Sequence, residues 1–367
     1  MAMIIGMDVH SKKTVYVAQN EEGKVIKEGA VTTGVEGMEQ MLAALNAPEQ
    51  TRIGLETGTQ ATWISRLLAS MGMNPVVIDA REVRAKARRI GQKSDRRDAF
   101  EICDGLRRGI YTTIVFVPDA PTQRLRQILS RRRHFVKLCT GQVNAAKFLL
   151  RAVGLSGQAS YLRTEAAWQK LLAKPALASL HDHLAMHAEV WKVAHQHVQR
   201  LEKELKEAVV FAEKERQRLM TVPGVGPITA SSFIAVLANT DRFPTSSHAA
   251  SYIGLVPSTY DSGETERHGR ITKRGSGELR TLLCEAAHHA ARPAHPLNPY
   301  WRRIAAKAGY QKAVVAVAHR LARILFQMWR NGEDFDVRKL NVVYDGKALV
   351  RKRYYKIATA AEAALRS

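Results

Sequence analysis

The stretch Lys93-Ser94-Asp95-Arg96-Arg97-Asp98-Ala99 places two carboxylates three residues apart at the predicted start of a helix running to about Arg108. Ser94 supplies the N-cap hydroxyl, and Ala99, Ile102, Cys103 and Leu106 recur at helical spacing. Residues three apart share a helix face, with roughly 5–6 Å between their Cβ atoms, so Asp95 and Asp98 reach one common point. Around them lie Arg81, Arg84, Lys86, Arg88, Arg89, Lys93, Arg96 and Arg97. Paired carboxylates inside a cationic stretch suit a Mg2+-dependent site for cutting phosphodiesters: the carboxylates hold the metal, and Arg and Lys hold the nucleic acid. A solvated helix laced with i,i+3 and i,i+4 ion pairs carries the same pattern, and this stretch alone leaves both readings open.

The chain leading up to this stretch brings further carboxylates. Met3 to Val9 is an apolar run containing Asp8. Thr14 to Gln19 and Lys24 to Val31 follow as β-rich segments about a Glu22-Gly23 turn, which predicts three antiparallel strands. A helix over 35–45, a strand over 52–57 containing Glu56, a helix over 61–71 and a strand over 75–79 come next. The order β-β-β-α-β-α-β-α predicts a mixed sheet covered by helices, with separate segments presenting Asp8, Glu56 and the Asp95/Asp98 pair. Two Mg2+ ions about 3.5–4 Å apart require several shared carboxylates, because hard cations take oxygen ligands. His10 reads first as a surface histidine at a strand end, with a place beside the acidic site as its other reading.

The totals agree with a polyanionic partner. The 367 residues predict two or three domains. The net charge of +22, with a pI near 10.1, is spread along the chain and points to DNA or RNA. No apolar run approaches the roughly 20 residues of a membrane span, and Asp8 and His10 interrupt any signal-peptide pattern, so a membrane role is excluded and a cytoplasmic protein is expected. Cys103, Cys139 and Cys284 are far apart and lack metal-ligand spacing, as in a reduced compartment.

Four segments are expected: an α/β domain over 1–120, a helical segment over 121–218, a mostly helical domain over 219–335 and a basic tail over 336–367. In the second, apolar stripes predict two long antiparallel helices, one from about Thr122 and one over His187–Arg218, forming a coiled coil with an oligomerisation role. Residues 154–186 read as an insertion. His181, His183, His187, His195 and His197 read as a wet helix face, without acidic or Cys partners at fixed steps. In the third, Val222-Pro223-Gly224-Val225-Gly226-Pro227 is a Gly-rich turn opening a helix. It is similar to a helix-hairpin-helix element, in which backbone N–H groups at Gly224 and Gly226 grip a phosphate. Residues Ser258 to Glu266 read as a loop, followed by the basic residues Arg267, Arg270, Lys273 and Arg274.

Gly6-Met7-Asp8-Val9-His10, Glu56-Thr57-Gly58 and Lys93-Ser94-Asp95-Arg96-Arg97-Asp98-Ala99 together resemble the DEDD arrangement of RuvC-type nucleases with an RNase H-like fold. In this combination the chain looks like the insertion-sequence transposases related to the Piv invertases, insertion sequence family one hundred and ten. The resemblance implies a RuvC-like first domain binding Mg2+ (or Mn2+ in its place) through Asp8, Glu56, Asp95 and Asp98. It places a nucleophilic serine at Ser262, in Tyr260-Asp261-Ser262-Gly263, with Tyr260 as the alternative. It further implies donor and target DNA as substrates, a guide RNA (the bridge RNA) encoded beside the gene, and dimers assembling into tetramers. Two other classes are compatible with the residues: a structure-selective endonuclease using water, and a non-enzymatic nucleic-acid-binding protein.

Overall fold

The computed structural model describes residues 3–86, 94–155, 157, 161–262 and 265–340, excepting the side chains of 259–268 and 270. The chain forms two compact units, 1–118 and 119–367.

The first unit is a five-stranded mixed sheet with helices on both faces. Its elements are β1 (Ile4–Val9), β2 (Lys13–Gln19), β3 (Val25–Thr32), α1 (Val35–Leu45), β4 (Arg52–Glu56), α2 (Ala61–Ser70), β5 (Asn74–Ile78), α3 (Ala80–Lys86) and α4 (Asp95–Arg107). The strand order is β3-β2-β1-β4-β5. The first three strands pair antiparallel, while β4 runs parallel to both β1 and β5. This is the mixed sheet that the element order predicts.

Strand alternation decides what lies on each face. Ile5 and Met7 of β1 and Ile53 and Leu55 of β4 point to one side, in a core with Met38 and Met41 of α1 and Ile64 and Leu68 of α2. Gly6 and Gly54 point to the other side, where α4 lies. A Cβ at Gly6 would stand 2.3 Å from both Ala99 O and Cys103 N, and one at Gly54 would stand 2.9 Å from Ile102 Cγ2. Two glycines side by side in the sheet thus let α4 approach backbone to backbone.

The second unit is mainly helical: α5 (Ala120–Ala152), α6 (Glu165–Leu172), α7 (His181–Ala208), α8 (Glu213–Met220), α9 (Pro227–Leu237), α10 (Ser246–Ile253), α11 (Gly277–His288), α12 (Asn298–Ala308) and α13 (Tyr310–Asn331), with a two-stranded ribbon of β6 (Pro257–Ser262) and β7 (Thr265–Ile271). α5 and α7 run antiparallel. Arg132 meets Glu202 at 2.7 Å, Phe135 stacks on His197 and His187 bonds Gln142, so partners fall along α7 as positions rise along α5.

Three expectations are corrected here. The helix expected over His187–Arg218 is broken: α7 ends at Ala208, and a 3-10 turn over Val210–Ala212 precedes α8. The break turns Val209 and Ala212 into the main core of this unit. The loop expected over Ser258–Glu266 is largely the β6–β7 ribbon, whose alternation of Thr, Tyr and charged residues gives no apolar face to recognise. The histidines of α7 are not uniformly wet: His195 stacks on Trp191, and His187 and His197 meet α5.

The connection that reads as an insertion over 154–186 has a structural role. Leu162, Trp168, Leu171 and Leu177 are buried with Ala146 and Leu150 of α5 and Leu184 and Trp191 of α7. They close a separate small core at the far end of the helix pair.

Candidate active site

Asp8 lies near the end of β1, on the same face as Gly6 and therefore beneath α4. Glu56 ends β4. The parallel register Met7↔Leu55 sets Asp8 and Glu56 one residue further along neighbouring strands, on that same face. Beyond Glu56, the Thr57 N–H donates to the Ile78 carbonyl and Thr57 Oγ1 accepts from the Ala80 N–H, which fixes the end of β4.

Asp95 and Asp98 occupy the first turn of α4, where the helix dipole favours negative charge. The Ser94 hydroxyl caps the helix by accepting from the Arg97 N–H at 3.3 Å. Arg96 Nε donates to Glu28 Oε1 of β3 at 2.7 Å, tying this turn to the sheet and holding the Glu28 carboxyl below its ordinary range. Cys103, one helix face further along, is buried against the Ile4 carbonyl, and burial pushes its thiol up to about 12.

His10 completes the cluster. Its Nε2 lies 3.2 Å from Asp8 Oδ2 and 3.3 Å from Asp95 Oδ1. One ligating atom from each of Asp8, His10 and Asp95 falls within a 4.8 Å span, the only such His/Cys/Asp/Glu group among the described residues. Glu56 and Asp98 flank this group without joining it at that spacing. The sequence predicts a surface histidine at position 10. It is indeed half exposed, but nothing local in the sequence places Asp95, 85 positions away, against it.

The donor set suits a divalent cation. An octahedral ion with bonds of about 2.1 Å holds adjacent ligands about 3 Å apart, close to the separations here. Two carboxylate oxygens and one imidazole nitrogen converge, with further carboxylates beside them.

Residues 5–154 match a family model for DEDD transposases of the IS110 type, and residues 216–302 match the Transposase IS116/IS110/IS902 family. The chain belongs to the IS110 transposase family. It is 26% identical over 348 residues to the transposase for insertion sequence element IS1111A of Coxiella burnetii, covering 90% of this chain and 91% of that protein. It is 27% identical over 286 residues to a protein named "Probable family 20 transposase" from Pseudomonas aeruginosa, covering 75% and 83%. The pilin gene-inverting protein of Moraxella lacunata is 28% identical over 123 residues, 33% of this chain and 38% of that protein. The transposase is therefore an enzyme that cuts and rejoins DNA, which sets aside the purely binding reading. No helix among the described residues is long and apolar enough to cross a membrane.

The other expected site residues of the transposase fall on several elements. Arg88, Arg89 and Lys93 lie outside the described residues, and Arg97 is half-buried on α4. Gly224 has φ +86°, and a Cβ there would stand 2.9 Å from Ala286 O; Gly226 is the N-cap of α9, with open space around it. Buried His295 secures this turn: its Nε2 donates to the Pro223 carbonyl at 3.1 Å, and its Nδ1 accepts from the Leu297 N–H at 3.1 Å. Ser262 ends β6, where it pairs in register with Thr265; Arg267 and Arg270 are on β7. Lys273 and Arg274 follow, both exposed. The root of the ribbon is tight, since a Cβ at Gly254 would stand 2.0 Å from Arg274 O and one at Gly275 would stand 2.0 Å from Tyr252 O.

Proposed function

We propose that this transposase cuts and rejoins DNA through a phosphoserine intermediate at Ser262, assisted by Mg2+ held by Asp8, Glu56, Asp95 and Asp98, with a bridge RNA selecting its sites. The observation that carries the reading is the meeting of Asp8 and Asp95 at the end of β1, in a chain matching a DEDD transposase model over residues 5–154. The sheet order β3-β2-β1-β4-β5, antiparallel then parallel, supports an RNase H-like first unit.

The Ser262 assignment rests on the Tyr260-Asp261-Ser262-Gly263 resemblance and is supported by a backbone position at the far end of the β6–β7 ladder. In the proposed step Ser262 Oγ forms a bond to phosphorus as one deoxyribose P–O bond breaks. The serine's proton ends on the departing sugar oxygen. The reverse step, with a new sugar hydroxyl, rejoins DNA without ATP because the phosphoserine conserves the ester. Arg267, Arg270, Lys273 and Arg274 supply positive charge for the phosphoryl oxygens. Bound Mg2+ would neutralise developing negative charge on the phosphate. Gly224 and Gly226 offer backbone N–H groups to a phosphate elsewhere on the DNA. Assembly of dimers into tetramers belongs to the same reading and is supported by exposed Phe148 on α5 and exposed Met186, Val190 and Val193 at helical spacing on α7.

The test incubates the protein with Mg2+ and labelled element-end DNA, with and without RNA transcribed from the flanking region. A protein-linked band on a denaturing gel that needs the RNA and vanishes in Ser262→Ala is the expected result. Free DNA ends without an adduct would assign the attack to water and overturn the phosphoserine step.

A further inference from the structure

We propose that His10 is a direct metal ligand of the acidic centre and that its nitrogen biases the centre toward Mn2+ over Mg2+. The inference rests on the metal-centre reading above and adds a residue outside the four carboxylates.

His10 Nε2 stands 3.2 Å from one carboxylate oxygen and 3.3 Å from another, the two coming from different elements. Nε2 carries at most one proton, which serves one carboxylate well. A cation bound between the three atoms satisfies a lone pair on each, at separations close to the roughly 3 Å of adjacent octahedral ligands.

The His10 backbone is also preorganised. His10 opens the β1–β2 turn, and its backbone is held on both sides. Its N–H donates to the Lys13 carbonyl at 3.0 Å, and its carbonyl accepts from Thr33 Oγ1 at 2.8 Å. Thr33 is itself fixed, with its N–H donating to the Lys12 carbonyl and its hydroxyl 2.8 Å from that of Thr14. A ring carried on a clamped backbone loses little further freedom on ligating an ion.

The selectivity follows from donor chemistry. Mg2+ is hard, demands oxygen and gives up its water reluctantly. Imidazole nitrogen is better matched to first-row transition ions, and Mn2+ accepts a mixed oxygen and nitrogen set. An all-carboxylate centre lacks this bias.

The experiment measures metal binding by the full-length protein without DNA, in a buffer free of nitrogen ligands. Mn2+ affinity comes from the loss of its free-ion electron paramagnetic resonance signal, and Mg2+ affinity from competition. Pulsed measurement of the bound Mn2+ reports 14N coupling directly. The wild type should show 14N modulation that His10→Ala lacks, with Mn2+ affinity falling roughly tenfold or more in the variant. His10→Asp, which restores an oxygen ligand, should bind both ions with a smaller preference for Mn2+. Circular dichroism melting establishes that each variant is folded.

A wild type without 14N coupling, or His10→Ala binding Mn2+ as tightly as the wild type, overturns the role of His10 while leaving the carboxylate centre standing. Asp8→Asn separates the two readings: if it too binds Mn2+ as the wild type does, the carboxylate centre itself is wrong.

Discussion

A Cβ added to Gly6 would stand 2.3 Å from the carbonyl oxygen of Ala99, so strand β1 and helix α4 meet backbone against backbone. The same face of the strand carries Asp8 two residues later, and the same helix begins with Asp95 and Asp98. The depth of that contact therefore sets where the carboxylates of strand and helix converge.

Gly6→Val should separate them. No flexible side-chain end is available to yield at this point, only helix backbone, so overpacking should cost at least about 1–3 kcal/mol. The expected outcome is a melting temperature lowered by several degrees together with loss of Mn2+ binding. Gly34→Ala is the control, because a Cβ there meets nothing within 4 Å. Retention of metal binding in folded Gly6→Val would show that helix position does not control the centre.

Asp8→Ala, Glu56→Ala and Asp98→Ala should each reduce metal-dependent strand cleavage by roughly two to three orders of magnitude. DNA affinity, read by mobility shift, should change little, since it comes mainly from phosphate contacts with Arg and Lys. Full cleavage by any one variant would remove that residue from the centre.

The turn at Gly224 should make stability depend on pH through His295. Burial holds the His295 pKa below its ordinary 6.5. Below about pH 6.5 the unfolded chain therefore binds more protons than the folded one, and stability falls with acidification until the folded pKa is passed. Above about pH 6.5 the contribution is fully present. His319 is shifted in the same direction by burial, so it adds to the slope. Urea midpoints between pH 7.5 and 5 should fall less in His295→Gln than in the wild type; an unchanged slope would mean that His295 is not the group responsible.

Trp168→Ala should loosen the far end of the α5–α7 pair selectively. Trp168 is 2% exposed in a cluster separate from the main core of its unit. Removing such a side chain costs about 3–5 kcal/mol. Hydrogen exchange should speed up around 146–191 and stay slow in α9 and α13. Uniform acceleration across the unit would show that the tip and main core unfold together.

Much of the first unit was legible because its signals are local. The 35–45 helix is found at the expected bounds, and Ser94 caps α4 as its position before the Asp pair predicts. Each strand shows its apolar residues over a few positions. The β6–β7 ribbon was not legible, because Thr259, Tyr260, Asp261 and their neighbours present no apolar alternation. The end of α7 at Ala208 was hidden for the opposite reason: helix-forming sequence continues through Glu213, and only burial of Val209 and Ala212 in the core makes the chain turn.

The sequence by itself determined the strands and helices of the first unit, the cationic character of the chain and the order in which Asp8, Glu56 and the Asp95/Asp98 pair occur. Periodicity, capping and charge act over a few residues, so they can be read without the fold. Only the tertiary structure decided that His10 touches both Asp8 and Asp95. That contact needs the parallel pairing of β1 with β4, two glycines that admit α4 to the sheet and a turn that clamps the His10 backbone. These are contacts between residues far apart in the chain, and no local pattern encodes which of them will meet.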